Sequence, residues 1–106
     1  MEHLIERLRK FRDERDWGQF HNPKDLAISV SIEASELLEL FQWRPENSPI
    51  DKELKSALEG EIADVFLYLL LLCEKVGVDL EEIARKKIDL NEKRFPVANS
   101  RGIAKP

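Results

Sequence analysis

Two pairs of acids stand three residues apart in this sequence, Glu33 with Glu36 and Glu61 with Asp64, and 24 residues separate the pairs. On a helix, the same-face neighbours of Glu33 are Leu26, Val30, Leu37 and Leu40, all of them apolar. Glu36 falls one turn further on, at the edge of that stripe. Glu61 shares its face with Leu54, Ala57, Leu58, Val65 and Tyr68, and Asp64 with Leu67, Tyr68 and Leu71. Glu39 and Glu59 differ: their neighbours are serines, lysines, a glutamate and a glutamine, which marks them as solvated surface acids. Burying one unpaired carboxylate costs several kcal/mol. Four facing one core would exceed the roughly 5–15 kcal/mol of net stability that a domain possesses. They require protons, basic partners or a metal. An all-oxygen ligand set suits a hard cation, Mg²⁺ or Mn²⁺, with positions left open for phosphate oxygens. A di-iron carboxylate bundle is excluded by its need for Glu-x-x-His on two helices, since neither His3 nor His21 follows a glutamate by three. The competing reading of the acids is solvated charge with ordinary ion pairs.

Further along, Lys87 is surrounded at helical spacing by Leu80, Ile83, Ala84 and Leu90, so a cation also points inward. Asn91 and Arg94 follow on the same face. Such a stripe holds polyphosphate oxygens, or else the lysine snorkels and the arginine satisfies helix-end carbonyls. Spacing leaves both open. Trp17, Phe20, His21 and Trp43 flank the helix of the first acid pair, and aromatics of this kind either stack a nucleobase or form partly buried core. By themselves these residues point to a Mg²⁺-dependent hydrolase acting on phosphates. The competing class is a non-catalytic helical interaction module whose acids bind a basic partner.

Four helices must position these groups, and no strand is expected. Leu4, Ile5, Leu8 and Phe11 make a stripe through a charged first helix that fades at Asp16-Trp17-Gly18. Asn22-Pro23 reads as an N-cap with proline at the first helical position, opening a helix that runs to Trp43 before Arg44-Pro45. Ser48-Pro49 repeats the signal and opens a long helix ending at Lys75 or Val76, with Gly77 as its stop. Asp79 with Glu82 forms a capping box for the fourth helix, which reaches about Phe95 before Pro96. Residues 1–96 make one domain, and 97–106 an irregular tail. The third helix is apolar on every face from Ile62 to Leu72, and three short helices cannot cover it, so a second copy of the chain is expected to.

With 106 residues the chain has room for one domain, and its 36% charged and 42% hydrophobic content suits a folded helical protein. A net charge of −4 gives no footprint for a nucleic-acid polymer and no polybasic membrane anchor. The longest apolar run is about half of a membrane span, the first residues lack a signal-peptide core, and Cys73 has no cysteine to pair with. A cytoplasmic location is the expectation.

Four blocks carry a resemblance. RDWGQFH from Arg15, EASELLELFQW from Glu33, EIADVFLYLL from Glu61 and KIDLNEKRFP from Lys87 resemble the MazG-like all-α nucleoside triphosphate pyrophosphohydrolases, most nearly the dCTP pyrophosphatase branch. The resemblance implies an all-α fold in which helices of two protomers form a four-helix bundle, as a homodimer or a dimer of dimers (homotetramer). It implies metal binding by Glu33, Glu36, Glu61 and Asp64, phosphate contacts from Lys87, Asn91 and Arg94, and a base and sugar pocket of Trp17, His21, Trp43 and Tyr68. It implies cleavage of a nucleoside triphosphate, dCTP-like, to monophosphate and pyrophosphate. Glu36, at the edge of the stripe, is the expected general base, with Lys87 absorbing developing charge. Animal enzymes of that branch carry glycines at the positions of Ile32 and Ser35, asparagine at Asp25, tyrosine at Phe95 and a longer connector after FQW.

Overall fold

Asn22 opens the helix that carries the first acid pair. Its side-chain oxygen accepts the backbone N–H of Asp25 at 2.8 Å, while its amide donates to the Asp25 carboxylate at 2.7 Å. This reciprocal cap, with Pro23 in the first turn, is the local use of an aspartate where the resemblance has asparagine. The computed structural model describes residues 1–104, and among them there are helices and no strand. In chain order these are α1 (Glu2–Glu14), a 3₁₀ turn (Gly18–Phe20), α2 (Pro23–Glu39), α3 (Lys52–Val76), α4 (Leu80–Arg94) and α5 (Val97–Ser100).

Two ends differ from the sequence reading. α2 stops at Glu39 rather than Trp43, because Leu40, Phe41 and Gln42 donate to carbonyls three residues back and tighten the chain out of α geometry. Arg44, whose α conformation Pro45 disfavours, turns its Nε onto the Leu40 carbonyl at 3.1 Å. α3 starts at Lys52 because Asp51, rather than Ser48, caps it by accepting the N–H of Leu54 at 2.8 Å. Ser48 instead donates its backbone N–H to Pro45 in the connecting turn.

Gly77 ends α3 as expected, in the left-handed region at φ 75°, where Cβ would be strained. Asp79 then caps α4 through the N–H of Glu82 at 2.9 Å. The second half of the expected box is replaced, since the Glu82 carboxylate pairs with Lys86 at 2.9 Å. The tail is not wholly irregular: after Pro96, whose missing N–H suits a helix start, Val97–Ser100 makes one helical turn.

α2 and α3 pack along one another and, among the described residues, supply every buried side chain: Leu26, Leu54, Leu70, Leu71 and Cys73. α1 and α4 touch α3 lightly and bury nothing. α1 is fixed by a two-pronged ion pair, Arg9 Nε and Nη2 onto the Glu74 carboxylate at 2.8 and 2.7 Å, which holds Glu74 below the usual carboxylate range. The radius of gyration is 17.2 Å, against about 13 Å for a compact globule of this length. The accessible surface is 8788 Å², against about 6,100 Å² for a folded monomer of this mass. Large apolar side chains stay in water, Leu38 at 68% and Ile62 at 55% exposure. Among the described residues, no helix is long and apolar enough to cross a membrane.

Candidate active site

The α2–α3 pairing brings Glu33, Glu61 and Asp64 together, with one oxygen of each within 4.8 Å of the others. Glu36 stands beside them, its carboxyl placed to share a proton with Glu33 and to act on Glu61 as well. Glu33 and Glu61 are half-buried, and Oε2 of each is sealed from water without a hydrogen-bond partner. Asp64 is exposed rather than inward-facing, and Glu36 is exposed at the edge of the stripe as expected. Three residues along a helix fall about 60° short of a full turn. When the first acid of each pair faces the seam, the second is therefore carried to its rim.

The acids repel one another. Glu33 is pushed up from the ordinary glutamate value to about 6, first by its hydrogen bond with Glu36, then by burial, then by the charges of Glu36, Asp64 and Glu61. Burial raises Glu61 as well, followed by the charges of Glu36 and Asp64. Glu39 is exposed as expected, yet its charge reaches Glu61. No basic side chain is among the principal groups acting on either glutamate. Hard oxygen donors, two of them sealed and unpartnered, fit a divalent cation and leave no internal counter-charge to replace it.

Asp64 also borders a cavity of about 220 Å³ lined by Phe11, Arg12, Trp17, His21 and Tyr68, with leucines behind them. Trp17 is held edge-on by the Phe11 ring, centroids 5.6 Å apart at 79°, and the Arg15 guanidinium lies 3.8 Å over that same ring. His21 is held below the usual histidine range by burial and then by Arg12 and Lys75. Its Nδ1 is sealed without a partner. Three of the sequence-predicted pocket residues thus meet next to the acids. Phe11 and Arg12 escaped the sequence reading because one belongs to the apolar stripe of α1 and the other to its charged face. A larger hollow of about 470 Å³, between the start of α1 and the α3–α4 turn, contains none of the candidate residues.

The remaining candidates lie elsewhere in the protomer. Trp43 is 88% exposed in the turns after α2 and does not line the cavity. Lys87 and Arg94 are exposed on α4 and Asn91 is half-buried there. Arg94 faces the Phe95 ring at 5.1 Å. Lys87 does not point into a core, because only a small part of α4 meets the rest of the protomer.

The model of the MazG-like family matches residues 28–106. dCTP pyrophosphatase 1 of Bos taurus is 41% identical over 99 residues, covering 90% of this chain and 59% of that protein. Its Homo sapiens counterpart is 37% identical over 100 residues, covering 91% and 59%. The chain thus spans about three-fifths of the length of these curated relatives. The crystal structure of a pyrophosphatase from Archaeoglobus fulgidus superposes with a TM-score of 0.82 at 45% identity, covering 91% of this chain and 92% of that one.

Proposed function

This chain belongs to the MazG-like family, and from that premise we propose that it is a nucleoside triphosphate pyrophosphohydrolase that releases pyrophosphate from a dCTP-like nucleotide. The observation carrying this reading is the acid cluster itself. Two sealed, unpartnered carboxylate oxygens meet beside a third acid that also borders an aromatic cavity. Names and architecture of the relatives support it.

In this reading Glu33, Glu61 and Asp64 hold Mg²⁺ or Mn²⁺, with Glu36 as a fourth ligand or as the base. The cation, when bound, supplies the positive charge that a triphosphate needs beside these acids and withdraws electron density from phosphorus. Trp17 and Tyr68 flank the base and His21 reads its edge. Glu36, exposed beside Glu33, takes the proton of the attacking water. The water oxygen bonds to the α-phosphorus, the bond from that phosphorus to the α–β bridging oxygen breaks, and pyrophosphate leaves.

Within one protomer Lys87 and Arg94 are exposed on α4 and are not among the principal groups acting on Glu33 or Glu61. Lys87, Asn91 and Arg94 therefore serve the site of a second copy, and Trp43 closes a pocket from across the interface. The extended shape and uncovered apolar surface support a homodimer or homotetramer. The test is to incubate the purified chain with Mg²⁺ and a panel of nucleoside triphosphates and separate the products. Monophosphate plus pyrophosphate, lost in EDTA, is the expected result. No turnover by a correctly folded oligomer, with thermal stability indifferent to Mg²⁺ and nucleotide, would instead fit an interaction module.

A further inference from the structure

Arg12 is the one arginine or lysine among the residues lining the 220 Å³ cavity. Its side chain is only 21% exposed. The stem runs against Gly18, where an added Cβ would meet Arg12 Cδ and Nε at 3.6 and 3.7 Å. The Trp17 N–H donates to the Arg12 carbonyl at 3.1 Å, tying the cavity's tryptophan to the same residue. Arg12 Nε donates to Asp13 Oδ1 at 2.8 Å, which orients the guanidinium plane. Its two terminal nitrogens make no hydrogen bond among the described residues. Burial and then the charges of Arg12 and Lys75 disfavour a charged His21, so Arg12 is the lining's principal source of positive charge.

An oriented guanidinium with its fork unused matches two adjacent acceptors and nothing else as well. Cytosine offers such a pair in N3 and O2, and guanine in O6 and N7. Thymine and uracil place an N–H between their carbonyls, and adenine sets an amino donor beside its ring nitrogens. The acids lie at the Asp64 side of the cavity and draw the phosphates there with the cation, whereas Arg12 stands among Phe11, Trp17 and His21. We propose that Arg12 is a specificity-determining residue, whose fork selects a nucleobase presenting a ring nitrogen and a carbonyl oxygen side by side. This rests on the reading that the cavity takes the base.

The test measures binding of dCMP, dGMP, dTMP and dAMP to the full chain with Mg²⁺ by calorimetry, beside kcat/KM for the four triphosphates. Wild type, Arg12→Ala and Arg12→Lys are compared; lysine keeps charge and stem, so folding and charge are controlled for. The expected result is a wild-type preference for dCMP or dGMP that both variants lose by about 5- to 150-fold, with dTMP and dAMP changed by less than about threefold. Preference for dCMP alone names a pyrimidine, and for dGMP alone a purine. An equal loss on all four nucleotides makes Arg12 a phosphate contact and overturns the proposal. So do an unchanged ranking in either variant, any other wild-type ranking, and no binding of any nucleotide. Base-dependent loss of binding without hydrolysis of any triphosphate would sustain Arg12's role and sink the pyrophosphohydrolase reading.

Discussion

Glu33 on α2 and Glu61 on α3 meet across the interhelical seam, each with Oε2 sealed from water and no hydrogen bond to it. Two carboxylates in that arrangement oppose folding whenever both are charged, and a bound cation reverses the sign of the effect. With both acids ionised and no cation between them, the fold carries this repulsion. Conditions that discharge the acids or neutralise them with a cation relieve it.

Replacing Glu61 by glutamine removes one of the repelling charges while keeping shape. The metal-free variant is expected to melt at a higher temperature than the wild type. Its gain in melting temperature on adding Mg²⁺ is expected to vanish, and turnover to fall by more than about 100-fold. Differential scanning calorimetry with and without Mg²⁺ measures the first two. A metal-free variant that melts lower than the wild type would show that Glu61 has a stabilising partner instead.

A pH dependence follows from Glu33. Its folded value is raised to about 6, above the roughly 4.3 of an unfolded glutamate. Between these values the unfolded chain has released the proton and the folded one still holds it, so metal-free stability falls as pH rises through this window. Below about 4.3 both states are protonated, and above 6 both are ionised and the full penalty is present. Urea midpoints between pH 4 and 7 in EDTA should therefore carry a decreasing component that Glu33→Gln abolishes. In saturating Mg²⁺ that component should shrink. A Glu33-dependent increase across the window in EDTA would contradict the repulsion.

Much of this arrangement is legible in the sequence wherever the physics is local. Asn22, Asp79 and Gly77 each settle a helix end within a few residues, and the apolar neighbours of Glu33 and Glu61 mark them as seam residues. Ser48-Pro49 looks equivalent to Asn22-Pro23, yet Asp51 lies nearer the first periodic residue, Leu54, and takes the N-cap. How deep an acid lies is less legible, because it depends on where the α2 and α3 axes approach. That is why Asp64, whose helical neighbours are apolar, stands at the rim, where Glu36 was already expected. The placement of Arg12 is illegible for another reason: its cavity exists only once the Gly18–Phe20 turn has folded Trp17 and His21 back against α3. The face of Lys87 is apolar in sequence but is largely exposed in one protomer, and periodicity reports a buried face without naming the chain that buries it.

Two local substitutions test the ends of α3. Gly77 adopts φ 75°, so Gly77→Ala should destabilise by about 1–2 kcal/mol. Asp51→Ala removes the acceptor for the Leu54 N–H and should cost about 1 kcal/mol. Equilibrium urea unfolding with an unchanged slope reads both. A neutral Asp51→Ala would return the cap to Ser48.

The last prediction concerns the cation stripe of α4. In one protomer Lys87 is exposed and is not among the principal groups acting on Glu33 or Glu61. If Lys87 serves a partner's acids, Glu33→Gln and Lys87→Ala inactivate different halves of a composite site. A mixed dimer of the two variants then has one site with both defects and one with neither. Each variant alone should be nearly inactive, and equal amounts refolded together should recover about a quarter of wild-type turnover, since half of randomly paired dimers carry one intact site of two. Sedimentation velocity on the same samples checks that both variants assemble. Activity that stays at the level of the separate variants, with mixed oligomers demonstrated by differential tagging, would place Lys87 in the site of its own chain or outside the site altogether.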